Sequence, residues 1–295
     1  MLSDTLEWCP LADFTSGDSL LKDGFGASGQ LIKKFEFSKE WLAQKIAARS
    51  LVTLPLAFVN RSEIWPVYQG PAGRVLTEVD DFIALHKPAG IHTHPLNYEE
   101  APNLVSWLVQ AGRPELGRVN QQGMDRGCLW RLDQDTSGLV LYAKNDKAYQ
   151  TVRNNFAQTF RKKYYLAVVA GDPGDANDVS HFLVPSGPKG QKMKVGTAGQ
   201  RAVLTYQTLA TVGAQSLVLV ELKTGLRHQI RVQMAALGHP LLGDTFYGGE
   251  EAQRMYLHCW RYETQDQTWE DPHAELFGDI FDLNGLLQVI HDKLG

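Results

Sequence analysis

Residues 203–222 read VLTYQTLATVGAQSLVLVEL, and this stretch decides the fold class. Val203–Ala210 and Leu217–Leu222 are rich in β-branched and aliphatic residues, a strand signature. The link between them, Thr211 to Ser216, is short and contains Gly213, so the chain turns back on itself as a hairpin. Next comes a helical stripe over Arg227–Leu237, with Ile230, Met234 and Leu237 on the apolar side and Gly238 ending it. Working outward, Phe82–His86 is a short strand stopped by Lys87-Pro88-Ala89-Gly90. Ser137–Ala143 is largely apolar, as a strand covered on both faces would be. Asn145 or Asp146 caps a helix running to about Gln158, striped by Ala148, Val152 and Phe156. Tyr164–Ala170 is another strand. Hairpins mixed with single helices predict an α+β protein: a mixed, mainly antiparallel β-sheet core with flanking helices and loops. A doubly wound sheet would alternate strand and helix regularly.

The first seventy-odd residues differ. A helix is predicted over Ser38–Ser50, capped by Ser38 and faced by Trp41, Leu42, Ala43 and Ile46. Gly- and Pro-punctuated stretches such as DGFGASGQ and VYQGPAGR surround it. A boundary near Gly73 divides an N-terminal extension, 1–74, from a larger domain, 75–295. No run of about 18 apolar residues is present, so no membrane span is expected. The N-terminus does not read as a signal peptide. The three cysteines are far apart, which fits neither a disulfide framework nor paired metal ligands and suits a cytoplasmic protein.

The net charge of −4 conceals a strong asymmetry. Residues 111–165 hold ten Lys/Arg against five Asp/Glu, and 186–235 hold seven against one. Residues 236–295 hold three against eleven. Polyanions respond to a local patch, not to the total. On charge alone, a nucleic-acid-facing surface and ordinary solvated charge are equally good readings.

Four polar segments stand where a plain sheet protein would not need them. Trp130-Arg131-Leu132-Asp133-Gln134-Asp135-Thr136-Ser137-Gly138 places a cation and two carboxylates before a buried strand, a good location for chemistry. By itself it reads better as a turn whose carboxylates bond nearby amides. Arg161-Lys162-Lys163-Tyr164-Tyr165 opens a strand, and alternation sends the two tyrosines to opposite faces. In Thr224–Arg231, Arg227 and Arg231 are four apart, hence on one helical face. They lie near the N-terminus, where the dipole disfavours cations, with no obvious acid beside them, which suggests an anionic target. Gly238-His239-Pro240-Leu241-Leu242-Gly243-Asp244 is a turn-rich link.

In this order and spacing, the segments resemble the RluA branch of the pseudouridine synthases. WRLDQDTSG is similar to the family's HRLDxxTSG, KYYL to its K-x-Y-L, and TGLRHQIRVQ to its TGRTHQIRVH. KPAGIHTHP, GHPLLGDTFYGG and Tyr256-Leu257-His258 fit as well. The likeness covers roughly Val75 to Arg261. This sequence departs from the pattern at Trp130, where the family usually has His, at Leu226, usually Arg, and at Gln233, usually His. The N-terminal RNA-binding module frequent in the family is not recognisable in residues 1–74.

The resemblance implies conversion of uridine in RNA to its C5-glycosyl isomer, with no metal or other cofactor. Asp133 would be the catalytic carboxylate, as nucleophile or as base. Arg231 would pair with it, Tyr165 would stack on the flipped-out uracil, and Arg131 would help fill the vacated space. The implied partner is ribosomal or transfer RNA, acted on by a monomer with no membrane association. Two other classes compete: a catalytically silent RNA-binding protein on the same fold, and a hydrolase using Asp133 and Asp135 as a pair. The hydrolase is disfavoured because glycosidase carboxylates usually come from separate elements. His228 and His239 read as structural hydrogen-bonding residues.

Overall fold

A computed structural model describes residues 4–59, 68–95, 102–121, 123–155, 159–264, 267–272, 277–281, 285, 288 and 290–291. The chain forms two compact units. One takes in residues 1–65, 95–100 and 121–124; the other takes in 66–94, 101–120 and 125–295.

In the first unit, β1 (Thr5–Trp8) pairs antiparallel with β2 (Val52–Pro55). Short helices accompany them: α1 (Gly17–Ser19, continued by a π-turn over Leu20–Gly24), α2 (Gly29–Lys34), α3 (Lys39–Ala43) and α4 (Leu56–Val59). Leu20, Leu21, Ile32, Ile46, Leu54 and Phe58 make a core of their own. Phe58 takes the edges of Phe25, Phe35 and Phe37. Ser38 caps α3 as expected, its hydroxyl accepting from the Trp41 amide. The helix nevertheless stops at Ala43 rather than Ser50. Gln44 turns extended, and Ile46 exchanges backbone hydrogen bonds with Phe14 while burying its side chain. Burial and pairing here outweigh helix propensity, a difference of tenths of a kcal/mol per residue.

The second unit is built on one sheet. Its strands are β3 (Arg74–Glu78), β4 (Phe82–Lys87), β5 (Ser137–Ala143), β6 (Phe160–Ala170), β7 (Ala176–Ser186) and β8 (Lys192–Gly196). β9 (Gln200–Val212), β10 (Gln215–Leu222), β11 (Leu257–Thr264) and β12 (Thr268–Glu270) follow. They are ordered β3-β4-β5-β11-β6-β10-β9-β7-β8, with β12 beside β11. Only β5 and β11 run parallel among these pairs, so the sheet is mixed and mainly antiparallel, as the hairpin reading predicted. α5 (Leu104–Gln110), α6 (Asp146–Asn154) and α7 (Gln229–Ala236) complete it; α6 packs on β5, and α7 on β7 and β8. Asn145 caps α6, accepting from the Ala148 amide. Phe156 and Gln158, the predicted end of that helix, lie outside the described residues.

The β9–β10 hairpin is tighter than its sequence suggested, because the strands continue to Val212 and Gln215. Gly213, at φ +60, takes the first central position of the turn, which needs a residue free to adopt a left-handed backbone. β5 is buried along its whole length. At Gly138 a Cβ would collide with the Cys259 backbone, so the parallel β5–β11 contact requires glycine there. Tyr164, Leu166 and Val168 alternate onto one face of β6, where they meet Leu217, Leu219 and Trp260.

His258 lies in a polar pocket within this core. Its Nδ1 is 2.9 Å from the Ser137 hydroxyl, and Asp271 stands 3.7 Å from its Nε2 and 2.5 Å from His86. Burial pulls His258 down to about pKa 4 despite the opposing pull of Asp271. An unfolded histidine titrates near 6.5. Between these values the unfolded chain binds a proton that the folded chain refuses, so stability falls with pH from about 6.5 to 4. The loss from this group is about 3 kcal/mol. The expected result is a wild-type Tm that drops more steeply across this window than that of His258→Asn. Parallel Tm–pH curves would contradict it.

Candidate active site

Asp133 sits on a loop held from both sides. The Leu132 amide donates to the Thr93 hydroxyl, 3.0 Å away, and that hydroxyl donates back to the Leu132 carbonyl. On the other flank the Gln134 carbonyl accepts from the Gly90 amide and from the Lys87 ammonium, each at 2.9 Å. Lys87 is fully buried and also donates to the Pro88 and Ile91 carbonyls. Burial pushes its pKa down to about 7, against the pull of Asp135 and Asp133. Each neighbour of Asp133 is thereby fixed in place, which limits how far its carboxylate can wander. Asp135 is exposed and lines neither cleft described below.

Arg231, on α7, reaches Asp133 Oδ2 through Nη1 at 3.2 Å. Its Nε and Nη2 form a two-pronged bond to Asp244, at 2.7 and 2.9 Å. The side chains of Arg231 and Asp244 are 7% and 1% exposed. The guanidinium lies 5.1 Å from the Tyr247 ring centroid and 5.8 Å from that of Phe246. Burial works against its charge, but Asp244 and Asp133 outweigh it and hold the Arg231 pKa above its ordinary value. A planar fork fixed by one carboxylate leaves its remaining edge aimed at the other.

The expectation that Arg227 and Arg231 share a helical face is overturned. α7 begins only at Gln229, because His228 adopts a left-handed backbone at φ +54. Arg227 therefore precedes the helix and donates to the carbonyls of Gly190 and Lys192. Arg231, with no acid beside it in the sequence, meets two carboxylates, Asp133 and Asp244.

The sequence reading also missed three members of the site. Asp244 had been part of a turn-rich link; it is the fixed end of the Arg231 fork. His228 points Nε2 toward Asp133, 3.9 Å away, while Nδ1 is 2.8 Å from the Tyr247 hydroxyl. That hydroxyl also accepts from the Met193 amide. Burial lowers the His228 pKa, against the pull of Asp133. No local pattern announces these contacts; the only signal was two polar segments joined to the same helix.

Tyr165 lies opposite Tyr164 on β6, as alternation required. It is 7% exposed, with its hydroxyl 3.2 Å from that of Tyr262. Burial drives the Tyr165 pKa well above the ordinary value, so the phenol is neutral. Arg131 is exposed and has no ion pair among the described residues. A cleft of about 70 Å³ brings the four together: Asp133, Arg131, Tyr165 and Arg231 all line it, with His228 and Leu257. Adjoining it is a cavity of about 720 Å³. The cleft offers an oriented carboxylate, a buried counter-cation and an aromatic ring around one small space, which suits a planar ring bonded to a reacting carbon.

Comparison with known proteins gives the family of the chain. The sequence model of the RNA pseudouridylate synthase family matches residues 81–236, more than half of the chain. The ribosomal large subunit pseudouridine synthase D of Zymomonas mobilis is 33% identical over 217 residues, covering 72% of this chain and 66% of that protein. The protein of the same name from Nitrosomonas europaea is 31% identical over 236 residues, covering 74% and 65%. The chain thus spans just under two thirds of the length of these relatives. The solved human RNA Pseudouridylate Synthase Domain Containing 1 shares the fold, with a TM-score of 0.58 at 23% identity over 76% of this chain and 98% of its own. This chain belongs to the RNA pseudouridylate synthase family.

Proposed function

We propose that the chain is an RNA pseudouridine synthase in which Asp133 is the catalytic carboxylate. The observation that carries this reading is the placing of Asp133, Arg231, Tyr165 and Arg131 around one cleft. The reaction breaks the bond between uracil N1 and ribose C1′ and makes one from C5 to C1′, with the C5 proton lost and N1 protonated. Asp133 acts either by attacking C1′ or C6, or by taking the 2′ proton. Arg231 and His228 orient it. A uridine inside a stack cannot reach this cleft, so it is flipped out at a cost of a few kcal/mol, with Tyr165 stacking on the base. Arg131 occupies the space the base leaves.

The names of the relatives point to ribosomal RNA as substrate, and transfer RNA is the alternative. We place the reaction in the cytoplasm and assign it to residues 75–295. Among the described residues no helix is long and apolar enough to cross a membrane. The test is incubation of the purified chain with unmodified bulk RNA, without additives, followed by quantitation of pseudouridine. New pseudouridine is expected. RNA binding with none formed would favour the silent RNA-binding alternative.

The two tyrosines give a sharper test. Tyr165→Ala is expected to lose a base–aromatic stack of roughly 1–3 kcal/mol, read as a slower single-turnover rate. Tyr165→Phe keeps the ring and most of the rate. Tyr164→Ala, made in the core beside Leu166 and Trp260, is expected to lower Tm and leave turnover per folded molecule near normal. Interchanged effects would mean the roles on β6 are assigned one residue out of step.

A further inference from the structure

The cavity of about 720 Å³ beside the Asp133 cleft falls within the ~300–1,000 Å³ range of small-ligand sites. It shares Arg131, Tyr165, Leu222 and Leu226 with the cleft, so the two spaces adjoin at a shared wall. Five cations line it, Arg131, Arg153, Arg161, Lys163 and Lys223, against one carboxylate, Asp125.

The carboxylate is already engaged. Asp125 accepts from the Tyr149 hydroxyl and from the Asn120 amide, each at 2.6 Å. Lys223 pairs with Glu221. Among the described residues Arg131, Arg153 and Arg161 have no carboxylate partner. Lys163 is largely buried, and burial lowers its pKa, a shift that an anion entering the cavity would oppose.

Beside the cations stands an aromatic wall. Trp130 is half-buried, its ring centroid 4.0 Å from that of the fully buried Tyr262. Trp130 occupies the position where the resembled pattern usually has His, which makes this wall a feature of the present chain. Flat aromatic surface next to unpaired guanidinium groups matches the two halves of a nucleotide: a base to stack and a phosphate to neutralise. An acidic peptide would use the cations but gives the indole no matching ring.

We infer that this cavity is a subsite for the nucleotide next to the target uridine, its base on Trp130 and its phosphate on Arg153 and Arg161. The inference rests on the isomerase reading above, because the shared wall joins the subsite to the Asp133 cleft. A chain that seats this neighbour recognises more than a lone uridine, and the seating contributes binding energy away from the reacting bond.

The test uses the full chain carrying Asp133→Asn, so that RNA binding is read without turnover, and a fluorescein-labelled single-stranded oligouridylate as probe. Trp130→Ala in that background is expected to weaken binding about tenfold, within the range of one lost base stack. Trp130→Phe, which keeps a ring, is expected to recover most of the affinity. Arg161→Gln is expected to weaken binding and to reduce the log–log salt slope by about 0.7, one phosphate contact. Arg161 is exposed, so this variant reports even if Trp130→Ala folds poorly. Unchanged affinity in a folded Trp130→Ala, or an unchanged salt slope in Arg161→Gln, would overturn the assignment. Pseudouridine formation by the unsubstituted chain is measured alongside. If it is absent while the cavity variants still lose binding, the isomerase reading fails and the nucleotide site stands. If it is present while they bind normally, the reverse holds.

Discussion

Asp133→Asn is expected to lower the single-turnover rate of pseudouridine formation by on the order of a thousandfold or more, the scale seen when a group that acts directly in a reaction is removed. RNA affinity and Tm should stay close to wild type. The substitution keeps the shape of the side chain and removes its charge. Arg231 is not stranded by it, because the two-pronged bond to Asp244 remains. The backbone contacts that hold the loop come from Leu132 and Gln134, so they also survive. A variant that retained a tenth of the wild-type rate would remove Asp133 from the chemistry. Asp135 would be a poor replacement, since it lines neither cleft.

Asp244→Ala is expected to produce the largest loss of stability, and to lose activity with it. The pair it forms with Arg231 is almost wholly buried. Removing one partner leaves a buried guanidinium facing only Asp133, and breaking such a pair typically costs about 3–5 kcal/mol. For a chain of this size that is roughly a 10 °C fall in Tm. The freed Arg231 would also lose its aim at Asp133, so turnover per folded molecule should fall too. A Tm and rate both within error of wild type would show that the fork neither supports the fold nor positions the carboxylate.

Much of the sheet was legible because its signals are local. The apolar run Ser137–Ala143, the hairpin at Gly213 and the opposite facing of Tyr164 and Tyr165 all follow from periodicity and turn chemistry within a few residues. The features that escaped notice depend on contacts between segments. The helical pattern after Ser38 continues through Ile46, yet Ile46 gains more by pairing with Phe14 and entering the core. The stripe that began at Arg227 starts two residues late because His228 turns left-handed, its ring taking up the Tyr247 hydroxyl. Asp244 escaped notice as a partner of Arg231 because it comes from beyond a turn thirteen residues on. Patterns at i, i+3 and i, i+4 do not reach that far. Asp133, Arg131, Tyr165 and Arg231 were singled out through a family resemblance; the segment alone read better as a turn than as a catalytic loop.

The claim at the centre of this account is that the chain converts uridine to pseudouridine through Asp133. The most direct measurement is a pseudouridine map of ribosomal and transfer RNA from cells carrying the wild-type gene, compared with cells in which only Asp133→Asn has been introduced and the protein level is matched. The account predicts that pseudouridine disappears from one or a few uridines, most directly in large-subunit ribosomal RNA, and is unchanged elsewhere. Identical maps from the two strains would contradict it.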